Sequence, residues 1–136
     1  MARKVLIVDD VPFVRKTISR ILSEANYLVV GEAEDGISAI QQYRKLQPDV
    51  VTMDVVMPNM SGIEATRKIT QLDKASRIIM ISAMEQENIV MEAINAGARD
   101  YLLKPFSAEE LLKTIERLFS SEEQLNEKSM AKSSVR

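Results

Sequence analysis

The chain has 136 residues, one domain's worth, with 46% apolar residues and a formal net charge of −2 from 18 basic and 20 acidic side chains. That balance argues against a nucleic-acid-binding surface spread over the domain, and an aromatic content of 4% without Trp argues against base-stacking platforms. There is no Cys and no His, which removes disulfides, thiolate and imidazole metal sites and imidazole bases, so any chemistry falls to carboxylates, Lys, hydroxyls or backbone.

From the N-terminus, Arg3 and Lys4 precede an apolar run, Val5 to Val8, which Asp9 and Asp10 stop. The run is too short for a signal-peptide core, and no stretch approaches the roughly 20 apolar residues of a membrane span. A cytoplasmic location without membrane insertion is expected. Four further short runs follow: Leu28 to Val30, Val50 to Met53, Ile78 to Ile81 and Tyr101 to Leu103. Most are nearly uninterrupted, the pattern of strands covered on both faces. Helical spacing fills the intervals. Val14, Ile18, Ile21, Leu22 and Ala25 make one stripe; Ile37, Ile40 and Tyr43 a second; Ile63, Thr66, Ile69 and Leu72 a third. Ile89, Val90, Ala93 and Ile94 make a fourth, and Leu111, Leu112, Ile115, Leu118 and Phe119 the fifth and clearest.

Punctuation agrees with these boundaries. Pro48 closes the second helix, Gly97 stands where the fourth ends in a left-handed residue, and Ser107 with Glu110 forms a capping box for the fifth. Strand and helix alternate five times, which predicts an α/β fold with a parallel sheet and helices on both faces. The domain is expected over residues 1–120. From Ser121 to Arg136, Ser, Glu, Lys and Asn dominate, and a frayed helix end followed by a disordered tail is expected there. The eight methionines read as core filling.

The strands stop on polar residues: the first on Asp9 and Asp10, the third on Asp54, the fourth on Ser82, the fifth on Lys104 and Pro105. In a parallel sheet these ends share one edge, where open α/β sheets place their ligand crevice. Three carboxylates, a hydroxyl and an ammonium therefore converge. Two carboxylates about 5 Å apart repel by roughly 3 kcal/mol at an effective dielectric near 20. Lys104 offsets part of this, and a hard divalent cation such as Mg²⁺, which favours carboxylate and carbonyl oxygens and shares substrate phosphates, would offset more. Asp54, alone at its strand end, suits a nucleophile that carries an acyl phosphate. Mg²⁺ and Lys104 would each hold a phosphoryl oxygen, and Ser82 would donate to a third. Taken singly, each residue has a plainer reading: Asp9 and Asp10 as a helix cap, Asp54 as a turn residue, Ser82 as a cap, Lys104 as a solvated side chain. Convergence at one edge is what caps alone do not produce.

Four motifs, Val5 to Asp10, Met53 to Pro58 with Ser61 and Gly62, Ile81 to Ala83, and Tyr101 to Phe106, resemble in order and spacing those of response-regulator receiver domains, most closely the stand-alone chemotaxis (CheY-like) type. The resemblance spans Lys4 to Phe119. It implies a flavodoxin-like doubly wound sheet of five strands in the order 2-1-3-4-5 with five helices. It implies phosphoryl transfer from a sensor histidine kinase to Asp54, with Mg²⁺ (or Mn²⁺) held by Asp10, Asp54 and the carbonyl of Val56, and Asp9 helping through water. It further implies a switch in which Ser82 moves to the phosphoryl group and Tyr101 turns inward. The target, a flagellar motor switch in the leading case, would then read the surface of the fourth helix, fifth strand and fifth helix. A phosphatase partner and a monomeric state are in keeping with the resemblance. Val56 and Met84 are apolar where the family varies, and neither can orient an attacking water, so slow self-dephosphorylation is expected.

A phosphorelay intermediate and the isolated receiver of a larger regulator are the alternatives within the same chemistry. A flavin- or nucleotide-binding protein of similar fold would need a Gly-rich phosphate loop, and the four glycines do not cluster. An aspartyl phosphatase would need a second acid two residues after its nucleophile, where Val11 and Pro12 follow Asp10.

Overall fold

A computed structural model describes residues 2–120, so the expected tail over 121–136 lies outside the described residues. The elements alternate as read: β1 (Lys4–Val8), α1 (Pro12–Glu24), β2 (Leu28–Ala33), α2 (Gly36–Leu46), β3 (Val50–Met53), α3 (Gly62–Leu72), β4 (Ile78–Ser82), α4 (Glu87–Ala96), β5 (Asp100–Leu103) and α5 over 108–120. All strand pairs are parallel and the order is β2-β1-β3-β4-β5, as the resemblance implied.

The uninterrupted apolar runs have a direct cause. Side chains alternate across a strand, so each run feeds two cores. Leu6, Val8, Val51, Met53, Ile78 and Met80 enter one buried cluster with Ala39, Ile63, Ile69 and Ala93 of α2, α3 and α4. Val5, Ile7, Val50, Ile79, Ile81 and Leu102 enter the other with Ile18 and Leu22 of α1 and Leu111 and Ile115 of α5. Thr52 lies between Ile7 and Ile79 in register, and its buried Oγ1 has no hydrogen-bond partner.

Helix ends follow local chemistry. Pro12 opens α1 at its first turn. Asp35 caps α2 by accepting from the Ser38 N–H at 2.8 Å, and α2 ends on Gln47 at φ 47° just before Pro48. Ser61 caps α3 through the Glu64 N–H. Gly97 closes α4 at φ 120°, where a Cβ would lie 2.2 Å from Thr70 Oγ1. The Ser107 and Glu110 capping box is made in both directions at 3.1 and 3.2 Å.

Three stripe positions differ from expectation. Ile37, Leu72 and Ile94 are 45%, 50% and 40% exposed, because the buried arc of each helix is narrower than its apolar arc. In α2 it is Gly36, Ala39 and Tyr43 that turn inward. The second strand runs three residues past Val30, and Leu28 is exposed, as befits an edge strand paired on one side. Met53 and Met80 fill the core as read, whereas Met91 is exposed.

Candidate functional site

The polar strand ends meet. Carboxylate oxygens of Asp9, Asp10 and Asp54 all lie within 4.8 Å of one another. Asp9 is buried, and each of its polar groups is engaged. Its N–H donates to the Ala33 carbonyl at 3.1 Å, Oδ1 accepts from the Val11 N–H at 2.9 Å, and Oδ2 accepts from Lys104 Nζ at 2.8 Å. Asp10 is exposed, and neither Asp9 nor Asp10 is the α1 cap: that position is Val11, which makes no side-chain cap bond.

Asp54 is 7% exposed. Its Oδ1 accepts from the Val55 N–H at 2.8 Å, and its Oδ2 lies 3.5 Å from Lys104 Nζ. Burial pushes its pKa up to about 6; Lys104 and the Val55 N–H pull it down, while Asp9 and Asp10 push it further up. The carboxylate is thus short of positive charge. Lys104 is not a free solvated lysine, since it bridges Asp9 and Asp54. Its N–H donates to the Ser82 carbonyl at 2.9 Å, and its peptide with Pro105 is cis.

Ser82 is buried, and its Oγ accepts from the Met84 N–H at 3.1 Å. The cap of α4 is Gln86, so Ser82 is not spent there. Tyr101 is half-buried against the α2–α4 core, and its hydroxyl donates to the Met84 carbonyl at 2.6 Å. Val56 is 61% exposed in the loop after Asp54. That loop passes so close to the site that a Cβ on Gly62 would fall 1.7 Å from the Asp54 carbonyl oxygen, which is why a glycine stands there.

Two bracing contacts escaped the sequence reading. Asn59, at φ 66°, donates to Asp35 Oδ2 at 2.8 Å and ties the β3–α3 loop to the cap of α2. Arg15 donates from Nη1 to the Asp9 carbonyl at 2.7 Å and from Nε to Glu32 at 3.1 Å. Arg15 did carry a signal: a cation in the first turn of a helix opposes the helix dipole and needs a compensating partner. The Asn59 contact joins two loops and has no local signature.

The donor set is all oxygen, carries three negative charges against one ammonium, and contains no nitrogen or sulfur ligand. It fits a hard divalent cation such as Mg²⁺.

The chain belongs to the response regulator receiver domain family, whose profile matches residues 5–116. It is therefore a receiver of two-component signalling. It is 48% identical over 117 residues to the chemotaxis protein CheY of Bacillus subtilis, covering 86% of this chain and 98% of that one. It is also 48% identical over 115 residues to the B. subtilis protein CcdB, covering 85% and 96%. Among solved structures, the CheX-CheY-BeF3-Mg complex from Borrelia burgdorferi superposes with a TM-score of 0.84 at 34% identity, covering 86% of this chain and 89% of that one.

Proposed function

We propose that the chain is a phosphorylation-activated switch that accepts a phosphoryl group on Asp54 from a sensor histidine kinase and then binds a downstream target. The observation that carries this reading is a buried carboxylate, Asp54, flanked by Lys104 and within reach of Asp9 and Asp10 at the C-terminal edge of the sheet.

A carboxylate oxygen of Asp54 attacks phosphorus, the new O–P bond forms as the P–N bond to the kinase histidine breaks, and the departing imidazole nitrogen takes a proton from solvent. Asp10, Asp54 and the Val56 carbonyl would hold Mg²⁺ (Mn²⁺ could substitute), with Asp9 assisting through water; the cation supplies charge neutralisation at the phosphoryl oxygens. Lys104 Nζ, which bridges Asp9 and Asp54, would donate to a second phosphoryl oxygen. Ser82 gives up its bond from the Met84 N–H and donates its hydroxyl to the third. Tyr101, whose hydroxyl already sits on the Met84 carbonyl, couples that movement to the loop before α4. This is a two-state element biased by a local charge change.

The similarity to CheY along almost its full length supports a target in chemotaxis or flagellar motor control that reads the α4–β5–α5 surface of a cytoplasmic monomer, with a phosphatase as a further partner. The equal similarity to CcdB keeps a different target within the same chemistry as the second reading.

The test is incubation of the intact chain and of Asp54→Asn with acetyl phosphate, with and without Mg²⁺, read by mass spectrometry. The expected result is a gain of one phosphoryl group that needs both Mg²⁺ and Asp54. No gain under any condition would leave a phosphorylation-independent binding module.

A further inference from the structure

We propose that Arg15 is a positioning residue that sets the affinity of the acidic crevice for its divalent cation by fixing the peptide between Asp9 and Asp10. The inference rests on the receiver reading and adds to it a residue outside the strand-end set.

The exposed Asp10 carboxylate makes no hydrogen bond or ion pair among the described residues. Its position therefore depends on its backbone. The carbonyl of Asp9 and the N–H of Asp10 belong to one rigid peptide plane, so a bond that aims that carbonyl also aims the chain at Asp10. Arg15 Nη1 supplies that bond at 2.7 Å. The guanidinium is itself held, because Nε donates to Glu32 Oε1 at 3.1 Å and only 17% of the side chain is exposed. Glu32 lies on β2 beside Ala33, whose carbonyl accepts the Asp9 N–H. The β1–α1 loop is thus gripped on both sides of Asp9, by the edge strand at its N–H and by Arg15 at its carbonyl.

Position and charge predict opposite signs. As a bare positive charge beside a cation site, Arg15 weakens cation binding by repulsion, and its removal tightens it. As a positioning residue it strengthens binding, and its removal weakens it. Lysine keeps the charge but lacks the planar fork that spans the Asp9 carbonyl and Glu32 together. Arg15→Lys therefore separates the two roles.

The experiment is a Mg²⁺ titration of the intact wild-type chain, Arg15→Ala, Arg15→Lys and Glu32→Gln, followed by NMR shifts of the β1–α1 loop amides. Urea midpoints in EDTA establish that each variant is folded. Wild type binds Mg²⁺, and Arg15→Ala and Arg15→Lys both bind about tenfold more weakly, the lower end for loss of an outer partner of a metal ligand. Glu32→Gln shifts in the same direction by less. With acetyl phosphate, the Arg15 variants need more Mg²⁺ but reach the wild-type rate at saturation. Unchanged or tighter binding by Arg15→Ala, with wild type binding normally, overturns the positioning role and leaves the receiver reading standing. If Arg15→Ala does not fold, wild-type affinity in Arg15→Lys overturns it equally. Failure of wild type itself to bind Mg²⁺ overturns both.

Discussion

Asp54 works against the stability of the domain that holds it. Its folded pKa of about 6 stands above the ordinary aspartate value of 3.8, chiefly because burial penalises the charge. Between those two values the native state binds more protons than the unfolded chain. Stability from this group is therefore full at low pH and is lost as pH rises through the folded value. Keeping this carboxylate ionised in the folded chain therefore costs roughly 3 kcal/mol at most. Metal-free Asp54→Asn should accordingly be more stable than wild type by up to about 3 kcal/mol above about pH 7, and the difference should close below about pH 4. Urea unfolding of both proteins in EDTA at the two pH values measures this; parallel curves would show that Asp54 is no more costly than an amide. Thr52 makes a smaller case of the same kind. Its hydroxyl is buried without a partner between Ile7 and Ile79. Thr52→Val keeps the shape and removes the orphan, so a stabilisation of about 1 kcal/mol is expected, read as a raised urea midpoint at constant slope.

The elements owe their limits to single residues with separable effects. Gly97 combines a left-handed φ of 120° with a Cβ position 2.2 Å from Thr70 Oγ1. Gly97→Ala meets both strain and collision and should cost about 1–3 kcal/mol in thermal or urea unfolding. Ser107→Ala removes half of a two-way capping box and should cost about 1 kcal/mol. Tyr43 joins α2 to the end of α3 by donating to Asp73 at 2.7 Å, and burial together with that carboxylate raises the pKa of its phenol. The loops over the sheet edge are braced in the same manner: Asn59 ties the loop after Asp54 to Asp35, and Arg15 holds the carbonyl of Asp9. Rigid elements thereby hold carboxylates that would otherwise separate.

Taken whole, the molecule is a two-faced sheet whose one polar edge gathers negative charge. A cation that binds only the folded chain stabilises it by mass action, about 2.7 kcal/mol at a hundred times its Kd. Added Mg²⁺ should therefore raise the thermal midpoint of wild type and EDTA should lower it, with a much smaller response in Asp54→Asn. An unchanged wild-type midpoint across millimolar Mg²⁺ would contradict a cation site at this edge. The phosphorylated chain should also hold its phosphoryl group for minutes or longer, because neither exposed Val56 nor the Met84 side chain can orient water. Val56→Asn, which adds such a group without touching the backbone carbonyl, should shorten that lifetime; a wild-type half-life of seconds would contradict the expectation.

The alternation of strands and helices, the double-sided burial of the sheet and the set of residues at its polar edge are legible in the amino-acid sequence. Each of these is periodic or local: an unbroken apolar run needs two covered faces, and a parallel sheet sends every strand end to one side. Asp9, Asp10, Asp54, Ser82 and Lys104 could be gathered from that rule alone. Contacts between elements remote in the chain come only with the folded geometry. Lys104 reaches both Asp9 and Asp54, the Tyr101 hydroxyl finds the Met84 carbonyl, and Arg15 grips the backbone of Asp9. Ile37, Leu72 and Ile94 matched the apolar stripes and still face solvent, because how much of a helix is covered depends on what packs against it. Backbone partners such as the carbonyls of Asp9 and Met84 are the same chemical group in every residue, so no letter of the sequence marks them; only the folded geometry does.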